Sequence, residues 1–295
     1  MLKYRLIFGS LMTLAFVGIV LLDAHLDGSL TITPDDDNSI RGSLLVALVA
    51  LLIVLGLFEL SKLAAAKGAK VLLPVSIPVS ILLAAYWYWI MLWVFWLDFW
   101  VWGIGSALFF SLFLAFTVMA LFVYQRFRYG LSGVLANIGA ACFSILYLGL
   151  MTNFVLTVRF EFGPWHLLML VFVVKCSDIG AYTFGRLFGK HKFSPVISPK
   201  KTWEGMAGAV VAAVIAAVAF AVYCDIMAWR LGILFGVIFA FLGQMGDLAE
   251  SMLKRDAQIK DASNNVPGFG GILDVVDSLL VTAPFGYLFF LLAAK

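Results

Sequence analysis

The stretch GSLLVALVALLIVLGLFEL, residues 42–60, carries a single charged side chain, Glu59. As a helix it would reach about 28 Å, close to the thickness of a bilayer's hydrocarbon core. Comparable apolar runs fill much of the chain, at 4–22, 72–92, 103–124, 131–151, 165–187, 205–224, 231–250 and 275–294. Outer-membrane barrels need alternating strands of about ten residues, and that pattern is absent from the sequence. The fold class is therefore all-α, a polytopic integral membrane protein with about nine transmembrane helices. The first span lacks a small-residue cleavage site and reads as a retained helix rather than a signal peptide.

Composition agrees. Hydrophobic residues make up 63% of the chain and charged residues 13%, with a mean hydropathy of +1.05. Soluble domains run about 45–50% apolar and about 25% charged. A soluble globule, a disordered chain and a disulfide-rich secreted domain are excluded. Cys142, Cys176 and Cys224 sit in apolar runs without metal-ligand spacing. His25, His166 and His191 are scattered, so zinc chemistry is not expected. The region 86–102 is dense in tryptophan and reads as an interfacial aromatic belt.

Lysine and arginine set the orientation. With the N-terminus cytoplasmic, Arg41, Arg159, Arg230 and Lys295 fall outside and Lys175 lies within a span. All the other Lys and Arg residues face the cytoplasm. The acidic run Asp35-Asp36-Asp37 then falls outside. The halves differ in character. Residues 1–160 read as scaffold helices with a surface suited to oligomers, and residues 161–295 as a catalytic region. The unusual polar residues concentrate between 165 and 278.

Charges inside spans are expensive and by default mark function. Lys175 and Asp178 share a helix face three residues apart, either as a plain ion pair between helices or as part of a site. The run GRLFGKHKFSPVISPKKTWEG, 185–205, is a basic loop. Ser198 followed by Pro199 fits an N-cap with proline at N1, so a helix is predicted to begin there. Its free N–H groups, with Lys200 and Lys201 beside them, would suit phosphate. Read alone, the loop could equally serve only as a topogenic signal that touches anionic lipid. No GxxxxGK[ST] sequence occurs, so it is not a P-loop.

The third stretch, GQMGDLAESMLKRDAQIKDASNNVPGFGGILDVVDS, runs from 243 to 278. Asp247, Glu250, Ser251 and Lys254 follow i, i+3, i+4, i+7 on one helix face. Asp274, Asp277 and Ser278 follow i, i+3, i+4 where the last helix begins. Oxygen donors in that number suit a hard cation such as Mg²⁺, held together with substrate phosphates. Carboxylates, a metal and a ring of Lys and Arg, without a nucleophile–histidine pair, point to phosphoryl or nucleotidyl transfer. Their depth in the membrane points to a lipid as second substrate. No nucleic-acid partner is expected.

The run from Ser251 to Ser278 resembles the phosphatidate cytidylyltransferase (CDP-diacylglycerol synthase) motif. The matching positions are Ser251, Lys254, Arg255, Lys260, Asp261, Pro267, Gly270, Gly271, Asp274 and Asp277. Asp178 with Ala181 and Tyr182, the run SPKKTWEG from Ser198 to Gly205, and the pair Gly246 and Asp247 also match. The resemblance covers about residues 175–280. It implies conversion of CTP and phosphatidic acid to CDP-diacylglycerol and pyrophosphate, with Mg²⁺ alone or beside a second cation. It implies that Asp247, Asp274 and Asp277 hold the metal. Lys200, Lys201, Lys254, Arg255 and Lys260 would hold phosphates, with Asp178, Asp261, Ser198 and Ser251 as further site residues. By family analogy a homodimer is expected, while the Lys and Arg distribution places the site at the cytoplasmic face and the lack of targeting extensions points to a bacterial inner membrane. Two positions depart. Phe269 stands where the family usually has histidine, and Val275 where it usually has arginine. The rivals are a CTP-dependent enzyme for another lipid phosphate or a polyprenol, and a cation- or proton-coupled transporter.

Overall fold

The structure is a computed structural model that describes residues 2–29, 42–90, 104–259 and 270–293. Among these residues the regular structure is helical, apart from isolated bridge positions at Lys192, which pairs with Thr202, and at Gly270. The helices are α1 (Leu2–Leu26), α2 (Ser43–Ala66), α3 (Leu73–Ala84), α4 (Ile104–Tyr129), α5 (Val134–Ser144), α6 (Met151–Phe162), α7 (Pro164–Phe188), α8 (Trp203–Tyr223), α9 (Trp229–Asp256) and α10 (Ile272–Ala293). A π-helical segment, Ile145–Leu150, joins α5 to α6 without a break.

Eight of the described segments are long and apolar enough to cross a membrane, close to the nine predicted, and the protein is an integral membrane protein. The difference lies at 72–92. There α3 has only 12 residues, about 18 Å of helix. It ends at Ala84, and a separate helical turn runs from 86 to 90. A second difference lies at 131–151, where the helix runs on to Phe162. Thr152, Thr157 and Arg159 lower the hydropathy there and ended the predicted span early. In the fold they are buried, and Arg159 has no exposed surface. The outer loop expected to hold Arg159 is thus helix, and its polar side chain faces protein instead of water. The acidic run 35–37 and most of the aromatic belt lie outside the described residues.

The chain divides into two compact units, Leu22–Asn153 and Met1–Leu21 with Phe154–Lys295. In the first, Leu72, Leu83, Leu121, Ala141 and Ile145 pack together. The first amides of α2 have no capping side chain of their own. Asp23 Oδ1 accepts from the N–H of Leu44 at 2.9 Å, and Asp27 Oδ2 accepts from that of Gly42 at 3.2 Å. These carboxylates satisfy amides at the helix start that have no partner within the helix.

The second unit holds the polar residues of interest. Within it α7 packs on α8, α9 and α10, while α9 packs on α8 and α10. Close approach of α7 and α8 depends on Gly180 and Gly208. A Cβ on Gly180 would come within 2.7 Å of Ala212 Cβ and against the carbonyl of Gly208. Small residues permit such contact where lipid offers no hydrophobic drive for helices to associate. At one end of this bundle Phe235 stacks on Phe239 at 3.9 Å and on Phe290 at 5.2 Å. Each helix is polar in the half away from those rings. That half is the C-terminal one in α7 and α9 and the N-terminal one in α8 and α10. The alternating chain direction therefore gathers the polar halves of these four helices at one end of the bundle.

Candidate active site

Four segments meet at that end. From α7 come Lys175 and Asp178, and from the approach to α8 comes Lys201. From α9 come Gln244, Asp247, Glu250 and Lys254, and from α10 Asp274 and Asp277. Gly246 brings α9 and α10 together, because its missing Cβ leaves room for Ser278 Cα, which would otherwise lie at 2.7 Å.

Each lysine bridges two helices or a loop and a helix. Lys201 Nζ donates to the Gln244 carbonyl at 3.1 Å and pairs with Asp247 Oδ2. Lys254 Nζ lies 2.8 Å from Glu250 Oε1 and pairs with Asp274 Oδ1. Lys175 Nζ donates to the Val275 carbonyl at 2.8 Å and lies 3.6 Å from Asp178 Oδ2. Gln244 Nε2 donates to Asp178 Oδ1 at 3.4 Å. Asp274 Oδ2 accepts the N–H of Gly271 at 2.9 Å, which fixes the start of α10. Asp277 is buried, and its Oδ1 accepts from the N–H of Ser278 at 2.6 Å and from Ser278 Oγ at 3.2 Å.

The balance of charge is negative. Five carboxylates, Asp178, Asp247, Glu250, Asp274 and Asp277, face three ammonium groups. Asp178 and Asp277 lie in the field of Asp247 and of each other. Mutually repelling carboxylates at a helical mouth form a site for positive charge. The donors are all hard oxygens, which suits Mg²⁺ rather than a soft metal. No three His, Cys, Asp or Glu side chains among the described residues form a ready cage. Mg²⁺ needs none where one or two carboxylates combine with substrate phosphates. The residues fit an ion that arrives with a polyphosphate.

The loop 189–202 differs from its sequence reading. The helix does not begin at Ser198 but at Trp203, with Thr202 as N-cap accepting from the N–H of Gly205 at 3.1 Å. The reason is a hairpin-like pairing across the loop. Phe193 N–H donates to the Lys201 carbonyl at 3.2 Å and Trp203 N–H to the His191 carbonyl at 2.9 Å. Residues 201 and 202 are thereby held extended, and Ser198 is left in a turn closed by the Lys201 N–H. The two lysines part company. Lys201 points inward with 12% of its side chain exposed, while Lys200 is exposed. Arg255 is exposed, and its Nε donates to the Ile197 carbonyl at 3.3 Å, which ties the loop to the end of α9. Ser251 is half-buried on α9. Lys260, Asp261, Pro267 and Phe269 lie outside the described residues.

Two residues escaped the sequence reading. Glu204 accepts the N–H groups of Lys190 and His191 at 3.1 and 3.2 Å and lies 2.6 Å from His191 Nδ1, so it straps the loop to α8. Its signal was an acid in the first turn of a helix. Gln244 links α9 to Asp178, and its signal was its place three residues before Asp247 on the same face.

Residues 39–293 match the family model described as the cytidylyltransferase family. The chain belongs to that family. The matched segment contains every site residue named above. Among similar proteins are phosphatidate cytidylyltransferases of three bacteria. That of Mycobacterium bovis is 38% identical over 150 residues, covering 50% of this chain and 49% of its own. That of Staphylococcus saprophyticus is 41% identical over 143 residues, 48% of this chain and 54% of its own. That of Bacillus subtilis is 38% identical over 160 residues, 53% of this chain and 59% of its own. The chain spans about half the length of the curated relatives it matches.

Proposed function

We propose that the protein transfers the cytidylyl group of CTP to phosphatidic acid, giving CDP-diacylglycerol and pyrophosphate. The observation that carries this reading is the meeting of Asp178, Asp247 and Asp277 with Lys175, Lys201 and Lys254 at one end of an apolar bundle. A nucleotide can reach such a mouth from water, and a lipid phosphate can reach it from the bilayer. A phosphatidate oxygen attacks the α-phosphorus of CTP, and the bond from that phosphorus to the bridging oxygen breaks to release pyrophosphate. The attacking phosphate monoester has a second pKa of about 6 and is mostly dianionic at neutral pH, so no general base is needed. Lys201 and Lys254, with Lys200, Arg255 and Lys260, hold phosphates. Asp247, Asp274 and Asp277 are the carboxylates that would hold Mg²⁺ together with the substrate phosphates, and the ion would offset charge on the nucleotide and on the departing pyrophosphate.

The direct test is Mg²⁺-dependent formation of CDP-lipid from CTP by the purified chain with a panel of lipids. Phosphatidic acid is expected to be the preferred acceptor, and excess EDTA to abolish turnover. Preference for an ether-lipid phosphate or a polyprenol would replace the substrate. Cation-coupled flux without CTP turnover would replace the enzyme with a transporter.

Lys201 and Lys200 should separate in the same assay. A charge-assisted hydrogen bond contributes about 1.5–3 kcal/mol, or about 10- to 100-fold. Lys201→Gln is expected to lower kcat/KM for CTP by that factor, and exposed Lys200→Gln by about threefold or less. Equal effects would mean that the loop rearranges on binding.

In this reading the site faces the cytoplasm of a bacterial inner membrane, in a homodimer. Cysteines placed at positions in 31–39 and in 190–200 are expected to label from opposite sides. Labelling of both from one side would sink the orientation. A dimer mass by light scattering in detergent would support the assembly, and a monomer mass would remove it.

A further inference from the structure

Lys175 pairs with Asp178 on its own helix, but its hydrogen bond crosses to another. The Nζ donates at 2.8 Å to the carbonyl of Val275, which lies between Asp274 and Asp277 in the first turns of α10. A helical carbonyl has a second lone pair and can accept this bond beside its own helical partner. The ammonium also lies within the electrostatic reach of Asp277. Val275 brings no charge to this turn; Lys254 of α9 pairs with Asp274, and the positive charge acting on Asp277 comes from Lys175 of α7. Lys201 and Lys254 serve phosphate in the reading above, and Lys175 does not.

We propose that Lys175 is a positioning residue. Through the Val275 carbonyl and the charge of Asp277 it holds the first turns of α10, and the two aspartates they carry, against Asp178 of α7. Without it, Asp178, Asp247 and Asp277 repel one another with less compensation, and the tie from α7 to α10 at Val275 is lost. The effect on turnover rests on the cytidylyl-transfer reading, whereas the effect on α10 does not.

The test compares Lys175→Met, Lys175→Arg and the double variant Lys175→Met/Asp178→Asn, which removes cation and partner together and so guards against misfolding. Hydrogen exchange is measured on the purified full-length protein in detergent, with kcat and KM for CTP alongside. Both Met-containing variants are expected to exchange the amides of 272–278 at least tenfold faster, with the amides of α8 unchanged. The kcat of Lys175→Met alone should fall at least 30-fold while its KM for CTP stays within threefold. Lys175→Arg should keep both properties near wild type. Unchanged exchange at 272–278 in the variants would overturn the proposal whatever the activity. Faster exchange throughout the bundle would also overturn it, by showing a general packing role. A raised KM with unchanged kcat would make Lys175 a phosphate ligand instead. A wild-type protein that makes no CDP-lipid, with the local exchange effect still present, would defeat the function and leave the positioning role standing.

Discussion

Asp247→Asn is expected to lower Mg²⁺-dependent turnover about a thousandfold or more while detergent-extracted yield stays normal. A metal supplies several kcal/mol of transition-state charge stabilisation, and about 4 kcal/mol corresponds to a thousandfold. Stability should be spared for three reasons. Asp247 is 41% exposed at its side chain, so its pair with Lys201 contributes little. Lys201 also keeps the Gln244 carbonyl as acceptor at 3.1 Å. Loss of one of three mutually repelling acids also relieves repulsion among the other two. Asp274→Asn is expected to lose turnover too, with some loss of stability, because it shares Lys254 with Glu250. Poor yield of Asp247→Asn, with normal specific activity in what survives, would make Asp247 a helix-tying residue rather than a metal ligand.

Lys254→Met is expected to have the largest effect on folding. The Lys254 side chain is 9% exposed and that of Glu250 is 3% exposed. Removing the cation leaves Glu250 in the bundle without its counter-charge, which costs about 3–5 kcal/mol. Extraction yield and Tm in detergent should both fall sharply. Lys254→Met/Glu250→Gln removes the stranded charge and should recover most of the yield. It should not recover turnover, because a phosphate-binding cation and the partner of Asp274 are still missing. A single variant as stable as wild type would show that Glu250 is not charged in the fold, and the double variant would then gain nothing.

Much of this arrangement is written locally in the chain. Runs such as 42–60 announce helices because length and apolarity alone decide them. The spacing of Asp247, Glu250 and Lys254 places them on one face because helical period is a local property, and Lys254 does reach Glu250. What failed depends on distant partners. Ser198-Pro199 looks like a helix start, but pairing of 193 with 201 and of 191 with 203 holds the following residues extended, and the helix waits for Thr202. Arg159 looks like a loop residue, because hydropathy cannot distinguish a side chain facing water from one buried among helices. Lys175 does pair with Asp178 as its spacing suggests, but its bond to the Val275 carbonyl could not be read locally, because it spans a hundred residues of chain.

The position of a radiolabel reads directly which phosphorus of CTP is attacked. The protein is incubated with phosphatidic acid, Mg²⁺ and CTP labelled either at the α- or at the γ-phosphorus. Cytidylyl transfer predicts that α-label enters the lipid and that γ-label leaves entirely as pyrophosphate. Entry of γ-label into the lipid, with α-label left in CDP, would make the protein a CTP-dependent kinase and contradict the account.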